Sequence, residues 1–577
     1  MFRTHTDHLQ PSFLDTVAQF SETKRQRLGD SWAGTFYRDV FCRINESIFA
    51  PLYSDEPSRP NTPVNVSAGL EILKSGFNWS DEELFNHLDF DVQVRYALGI
   101  RDIHAEISTL RTHYNFRRRV SDHMQEKGEN LFEQVFIQVT DEQLAALGLK
   151  TEHQRMDSTQ ISSDIRRYSR LQLLVEVVQR AERMLNDQDR TRYAELLAPY
   201  KKGSAGQYCY RVKNSDLDSH LQRIGQVIYR LVNELSASYS DQEGYQLLQR
   251  VLSEHFELSS EATTAEDAPV TVKPPETLRA DSLQSPDDTT ATYREKHGQG
   301  YHGYVAHLSE TCHPDNDVQL ITDVRVAPNT TDDETLLVET VPELKQRTQV
   351  DTLEIDGGYT GPEASKVCAE QGITLNPSAI RGRKPNPAHL GLDAFTWDTT
   401  SDTTPRVTCP HGQTIDLTPG RKPHRRQAAF DAIVCAQCSL AESCPTRLLK
   451  RRPQRVLNVD QRQIEVAQLR QRCAQLRQAD HHLRPAVEST MRSIKHPFGG
   501  KLPVRGQTRV TMVIIASALF VNLRRIWRFQ RAEQEKQQGQ DAKQEQDSFL
   551  FLLGNLLQWL IGACQSPLQL RSALYLC

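Results

Sequence analysis

Hydrophobic spacing divides the chain into regions of different period. Up to about residue 125 apolar positions recur three and four apart, and the run NVSAGLEILKSGFNWSDEELFNHL predicts two helices. Ser80 followed by Glu83 is a capping box that opens the second. The region closes on Arg117-Arg118-Arg119. Around Asp157 a short segment, EHQRMDSTQ, is strand-like in length. From Tyr168 to about Phe256 the helical period returns, with Leu171, Leu174, Val175 and Val178 on one face. Serine, threonine, proline and acid dominate from Glu257 to Asp288, the composition of a linker. Strand-like runs follow at Tyr301 to Leu308, Val318 to Val326 and Thr352 to Ile355. The last stops at Asp356-Gly357-Gly358, and a helix is predicted after Gly361. From Pro385 to Arg455 the pattern is irregular, and from Gln461 to Gln530 it is helical and basic. The polar stretch RAEQEKQQGQDAKQEQ is expected to be a linker to an apolar tail.

Alternating strands and helices in the middle of the chain make the class α/β. With 577 residues, three or four domains or subdomains are expected. The expected division is a helical domain at 1–125, a core at 150–166 and 285–380, a helical insertion with an acidic linker at 167–284, a Cys-rich insertion at 385–456, core helices at 461–530, and a linker and tail at 531–577.

Composition changes this picture in three places. The overall charge of −5 hides a basic block: Pro445 to Trp527 holds 17 Lys or Arg against four Asp or Glu, a local balance of +13. Such a block suits a phosphate backbone, and equally a solvated helical face balanced elsewhere. Eleven cysteines, an odd number, with a polar N-terminus that does not read as a signal peptide, point to a reducing cytoplasm. The apolar run Phe549 to Cys564 contains Asn555 and Gln558 and is short for a membrane span, so a core or partner-facing helix is expected and no membrane.

Three acids are candidates for chemistry: Asp157, Asp356 and Glu488. Carboxylates from separate elements can hold two Mg²⁺ or Mn²⁺ about 4 Å apart, one activating the attacking oxygen and one stabilising the leaving oxygen. Taken singly, each acid has an ordinary reading as a turn former, a cap or a surface charge. Around Glu488 the context is richer. In HHLRPAVESTMRSIKHPFGG, Arg484, Glu488 and Lys495 are four and seven apart and share one helical face. Pro485 fits a first turn, so Arg484 starts the helix.

That spacing resembles the signature of a large group of DDE-type insertion-sequence transposases: Tyr, two residues, Arg, three, Glu, six, Lys. Arg484, Glu488 and Lys495 match, and His481 stands at the Tyr position. Further pieces follow in order. MDST at Met156 to Thr159 is similar to the first-Asp motif, YREKHGQGYHGYVAHLSETCHP to the middle strands, IDGGYTGPEA to the second-Asp motif, and KHPFGGKLPVRGQTRV to the segment after the Glu. ILKSGFNWSDEELFNHLDFDVQVRYALGI resembles the helical domain ahead of the core in these proteins.

The resemblance implies a ribonuclease-H-like catalytic core, with the first Asp on its first strand, the second after a later strand and the Glu on a following helix. It implies cleavage at transposon ends, then attack of a 3′-hydroxyl on target DNA. Arg484, Lys495 and the residue at His481 would contact DNA. Partners would be double-stranded transposon ends and target, bound by a homodimer in the bacterial cytoplasm at the nucleoid; the tail after Phe549 is a candidate contact. A DNA-binding relative without catalysis and a nuclease that only hydrolyses are the competing functions.

Cys409, Cys435, Cys438 and Cys444 lie within 36 residues, with His411 as an alternative ligand. One C-x-x-C pair with two further thiols suits tetrahedral Zn²⁺, which with four protein ligands is structural. Reduced free thiols and a redox role are the alternatives. Zinc would fold a basic segment carrying Arg447, Lys450, Arg451, Arg452 and Arg455.

Overall fold

The computed structural model describes residues 1–564 apart from 11–12, 55, 57–59, 259–269, 297, 383–385, 387, 400–404, 421 and 480–482. Its centre is a six-stranded sheet built from β1 (His153–Ser162), β2 (Thr292–Lys296), β3 (Gln299–Thr311), β4 (Ile321–Pro328), β5 (Thr352–Ile355) and β6 (Thr374–Pro377). β3 runs antiparallel to β1, and its other edge pairs with β2 and then β4, also antiparallel. On the far side of β1, β5 and β6 are parallel. The architecture is mixed α/β.

Alternation along β1 separates two cores. Met156 faces a cluster with Leu337, Val341, Leu353 and Ile355, under the helices α2 (Asp333–Thr348) and α3 (Pro362–Glu370). Its neighbour Asp157 lies opposite Leu308, whose cluster includes Val487, Met491 and Ile494 of the helix α4 (Val487–Lys495). The acid therefore points to the side on which α4 packs.

That second core reaches far along the chain. Among the described residues, six helices between Trp32 and Ala146 line it, with Phe36, Leu70, Phe116 and Phe132 among their side chains, and the helix α5 (Gln507–Cys564) contributes Ile515, Leu519 and Leu523. Ser80 and Glu83 form both capping-box bonds. In Val64–Phe77, Gly76 allows close packing against α5, since a Cβ there would lie 2.0 Å from the Phe520 ring. Side chains between Leu171 and Phe256, with Val270 and Leu283, form a separate buried cluster.

Two segments differ from the reading of the sequence. The stretch 531–546 is helical and continuous with α5, because Gln, Glu, Lys, Arg and Ala are strong helix formers and no proline interrupts them. The Cys-rich segment is not irregular: it forms a three-stranded sheet (Thr396–Asp398, Arg406–Thr408, Thr414–Asp416) and a four-stranded one that includes Arg425–Asp431 and Gln454–Asp460. Strands of two to seven residues are too short to print a clear period. Among the described residues, one helix, Gln507–Gln558, is long and apolar enough to cross a membrane, but 83% of its apolar window is buried inside the protein. Farther along α5, Phe549, Leu550, Phe551, Leu552 and Leu556 are exposed.

Candidate active site

Asp157 sits in mid-strand, 8% exposed, and its carboxylate accepts from the Ser158 N–H at 2.9 Å. Asp356 follows the last residue of β5 and caps a 3₁₀ turn, Gly357–Tyr359, accepting from the Gly358 N–H at 2.6 Å. The second glycine sits close to two carboxylates: a Cβ on Gly358 would lie 2.4 Å from Asp333 Oδ2 and 2.9 Å from Asp356 Oδ1 and would push on both. Asp333, at the start of α2, accepts from the Ser158 hydroxyl at 2.5 Å. Glu488 is the second residue of α4, and a 3₁₀ turn, Arg484–Ala486, precedes it with Pro485 inside.

These elements bring the three acids to one cation. Arg484 Nη2 lies 3.0 Å from Asp157 Oδ2 and 3.7 Å from Asp356 Oδ2, while Nη1 lies 3.3 Å from Glu488 Oε1. Burial pushes the Asp157 carboxyl above the usual range; Arg484 and the Ser158 amide oppose this, and Asp356 adds to it. Tyr359 is fully buried below, its hydroxyl pushed well up by burial and by Asp333, Asp157 and Asp356.

The acids open onto a cleft of about 710 Å³, also lined by Lys296, Arg492, Lys495 and His496. Lys495 donates to Thr159 Oγ1 at 2.9 Å, and burial followed by the nearby Lys296 holds its ammonium below the usual range. Lys296, Arg492 and Asp333 were not singled out from sequence. The signal for Lys296 was its place just before Gly298, where β2 turns into β3. His481 lies outside the described residues.

A buried network fastens α4 to the sheet. Glu310 on β3 is fully buried and accepts from Arg155 Nε at 2.7 Å, Thr490 Oγ1 at 2.8 Å and Arg525 Nη1 at 2.7 Å. Arg155 also donates to the Leu483 carbonyl at 2.8 Å. Its members lie two residues from Asp157, two from Glu488 and one from Arg484. Nothing in the sequence marks Glu310, because its partners come from three distant segments.

The four cysteines line one small apolar cavity of about 30 Å³, together with His411. Cys409 lies in a turn closed by Gly412 at φ +90°. Three sulfurs accept hydrogen bonds: Cys435 from Gln413 Nε2 at 3.4 Å, Cys438 from the Leu440 N–H at 3.4 Å and Cys444 from Thr446 Oγ1 at 3.2 Å. Burial, then the Gln413 bond and Arg455 in the opposite sense, and Cys409 and Cys444 act on the Cys435 thiol, which ends above its usual range. All four thiols are free. Among the described residues, no group of three or more His, Cys, Asp or Glu stands ready to hold a metal ion, here or at the acids. At the acids the guanidinium of Arg484 lies between the carboxylates.

Residues 408–527 match the family model described as a transposase DDE domain, about one-fifth of the chain. The match contains the four cysteines, Arg484, Glu488 and Lys495, and it supports a DDE-type transposase. Asp157 and Asp356 lie before it. Comparison with the curated proteins and with solved structures finds no match.

Proposed function

We propose that the chain is a transposase that cleaves DNA at the ends of an insertion sequence and joins the freed 3′-end to target DNA. The observation that carries this is the meeting of Asp157, Asp356 and Glu488 around a single cation, in an open cleft ringed by Lys296, Arg492 and Lys495. The sheet supports a ribonuclease-H-like core: the first acid is on its central strand, the second follows a parallel neighbour, and the third is on a helix packed against that strand.

Three oxygen-donor side chains sharing one positive charge fit a hard divalent ion. Asp157, Asp356 and Glu488 would hold two Mg²⁺ or Mn²⁺, which when bound supply a polarised attacking oxygen and charge stabilisation at the leaving oxygen. Lys495, Lys296 and Arg492 bind phosphates on either side of the scissile one and fix the strand in the cleft. Asp157 is oriented by the Ser158 amide and Asp356 by the Gly358 amide. In the first step water attacks phosphorus, the bond to the 3′-oxygen breaks, and that oxygen takes a proton. In the second the new 3′-hydroxyl attacks a target phosphodiester and displaces a target 3′-oxygen.

Two ends must be held together, so the working form is a homodimer, acting on double-stranded DNA at the nucleoid of a bacterial cytoplasm. The four thiols around one cavity, three of them accepting hydrogen bonds, support a structural Zn²⁺ at Cys409, Cys435, Cys438 and Cys444. It would brace the two small sheets and their basic strands.

Incubation of the chain with a labelled duplex carrying the element's end, a target duplex and Mg²⁺ or Mn²⁺ tests the reading. Joined products support a transposase. Cutting without joining reduces it to a nuclease, and binding without cutting to a DNA-binding relative.

A further inference from the structure

Among the described residues, Arg484 alone is ion-paired with all three acids. Its side chain is 16% exposed, and its Nε–H is buried and has no hydrogen-bond partner among the described residues. The guanidinium is thus drawn inward by charge and not by a complete set of directed bonds. Its backbone is separately fixed, since Arg155 holds the Leu483 carbonyl and Pro485 follows. The side chain can therefore leave while the turn stays in place. The balance of charge gives it reason to leave. Three carboxylates and one guanidinium carry −2; with two dications added, the same guanidinium would face a net positive cluster. The open cleft beside it is where a DNA phosphate would run, and a phosphate matches the guanidinium fork.

We propose that Arg484 is a displaceable counter-ion: it holds Asp157, Asp356 and Glu488 together and moves to a DNA phosphate when metal enters. The inference rests on the three-acid reading above. It couples metal uptake to DNA binding through one side chain, and because coupling is reciprocal, each ligand tightens the other by the same factor. The chain would then load metal fully only where a phosphate backbone already lies in the cleft.

Mn²⁺ uptake by the full chain, read from the paramagnetic resonance of free Mn²⁺, tests this with and without a short DNA duplex of arbitrary sequence, corrected for Mn²⁺ held by the duplex alone. Arg484→Gln is expected to bind Mn²⁺ about tenfold more tightly than wild type without DNA. The duplex is expected to tighten uptake by wild type and to leave Arg484→Gln unchanged. Arg484→Lys keeps a charge but loses the fork; it should fall between the two, and it carries the test if the glutamine variant does not fold. Uptake by both variants no tighter than wild type, or an equal effect of the duplex on all three, overturns the inference and leaves the three-acid reading standing. If Asp157→Asn removes no Mn²⁺ from any form, the three-acid reading fails and takes this inference with it.

Discussion

Replacing Glu310 by glutamine removes one negative charge at the point where β1, β3, α4 and α5 are tied together. The carboxylate is 0% exposed and faces the guanidiniums of Arg155, 9% exposed, and Arg525, 21% exposed. Both cations would be left in a poorly hydrated place with only a neutral amide between them. Breaking a buried pair by removing one partner costs about 3–5 kcal/mol. Glutamine keeps the shape and one acceptor oxygen, and Arg525 keeps some water, so the lower end, about 3 kcal/mol, is expected. Thr490 loses an acceptor as well, two residues after Glu488, so α4 should loosen from the strand that carries Asp157. Urea unfolding of wild type, Glu310→Gln and Glu310→Asp measures the first effect, and Mn²⁺ uptake by the folded variants measures the second. Glu310→Asp, which keeps the charge, should lose less. A loss below about 1 kcal/mol for Glu310→Gln would be the value of a solvated surface pair and would refute the reasoning.

Glu71 gives a pH-dependent test. Burial alone would push its carboxyl up, but Arg117 and His113 outweigh this and hold it at about 2, against an ordinary 4.5. Its folded value lies below the unfolded one, so its contribution is present above pH 4.5 and is lost as the pH falls toward 2, about 3 kcal/mol over that window. Acid unfolding of Glu71→Gln should lack that part of the slope; an unchanged acid limb would contradict it. Lys495→Ala should weaken DNA binding equally across sequences and reduce the salt dependence by about one counterion, which titrations at several salt concentrations measure. The purified chain should release one zinc when its thiols are blocked with a mercurial, and Cys438→Ser should lower that yield; absence of zinc, with no effect of added zinc on the melting temperature, would favour reduced thiols.

The site was legible in sequence where chemistry and local geometry coincide. Asp356 announced itself because a strand ends on it and two glycines follow, and in the structure the second glycine sits close to Asp333. Arg484, Glu488 and Lys495 were placed on one face by helical spacing alone, and α4 with its preceding turn presents all three to the same cleft. Asp157 was weaker, since only the pairing with β3 and β5 makes its segment a strand of ten residues. What sequence did not yield depends on long-range contacts. Glu310 acquires its role from Arg155, Thr490 and Arg525, between 155 and 215 residues away. The engagement of Arg484 with carboxylates is likewise a product of three elements meeting. The small sheets of the Cys-rich segment were missed because their strands are too short to show a period.

The most direct test of the three-acid assignment is the rate at which a labelled duplex carrying the element's end is cut in Mg²⁺ or Mn²⁺, comparing wild type with Glu488→Ala. Glu488 is 66% exposed on its side-chain surface and, among the described residues, is ion-paired with Arg484 alone, so the substitution should leave the fold intact. The account predicts metal-dependent cutting at the end by wild type and none by the variant, with duplex binding retained in both. Cutting by Glu488→Ala at the wild-type rate would contradict it.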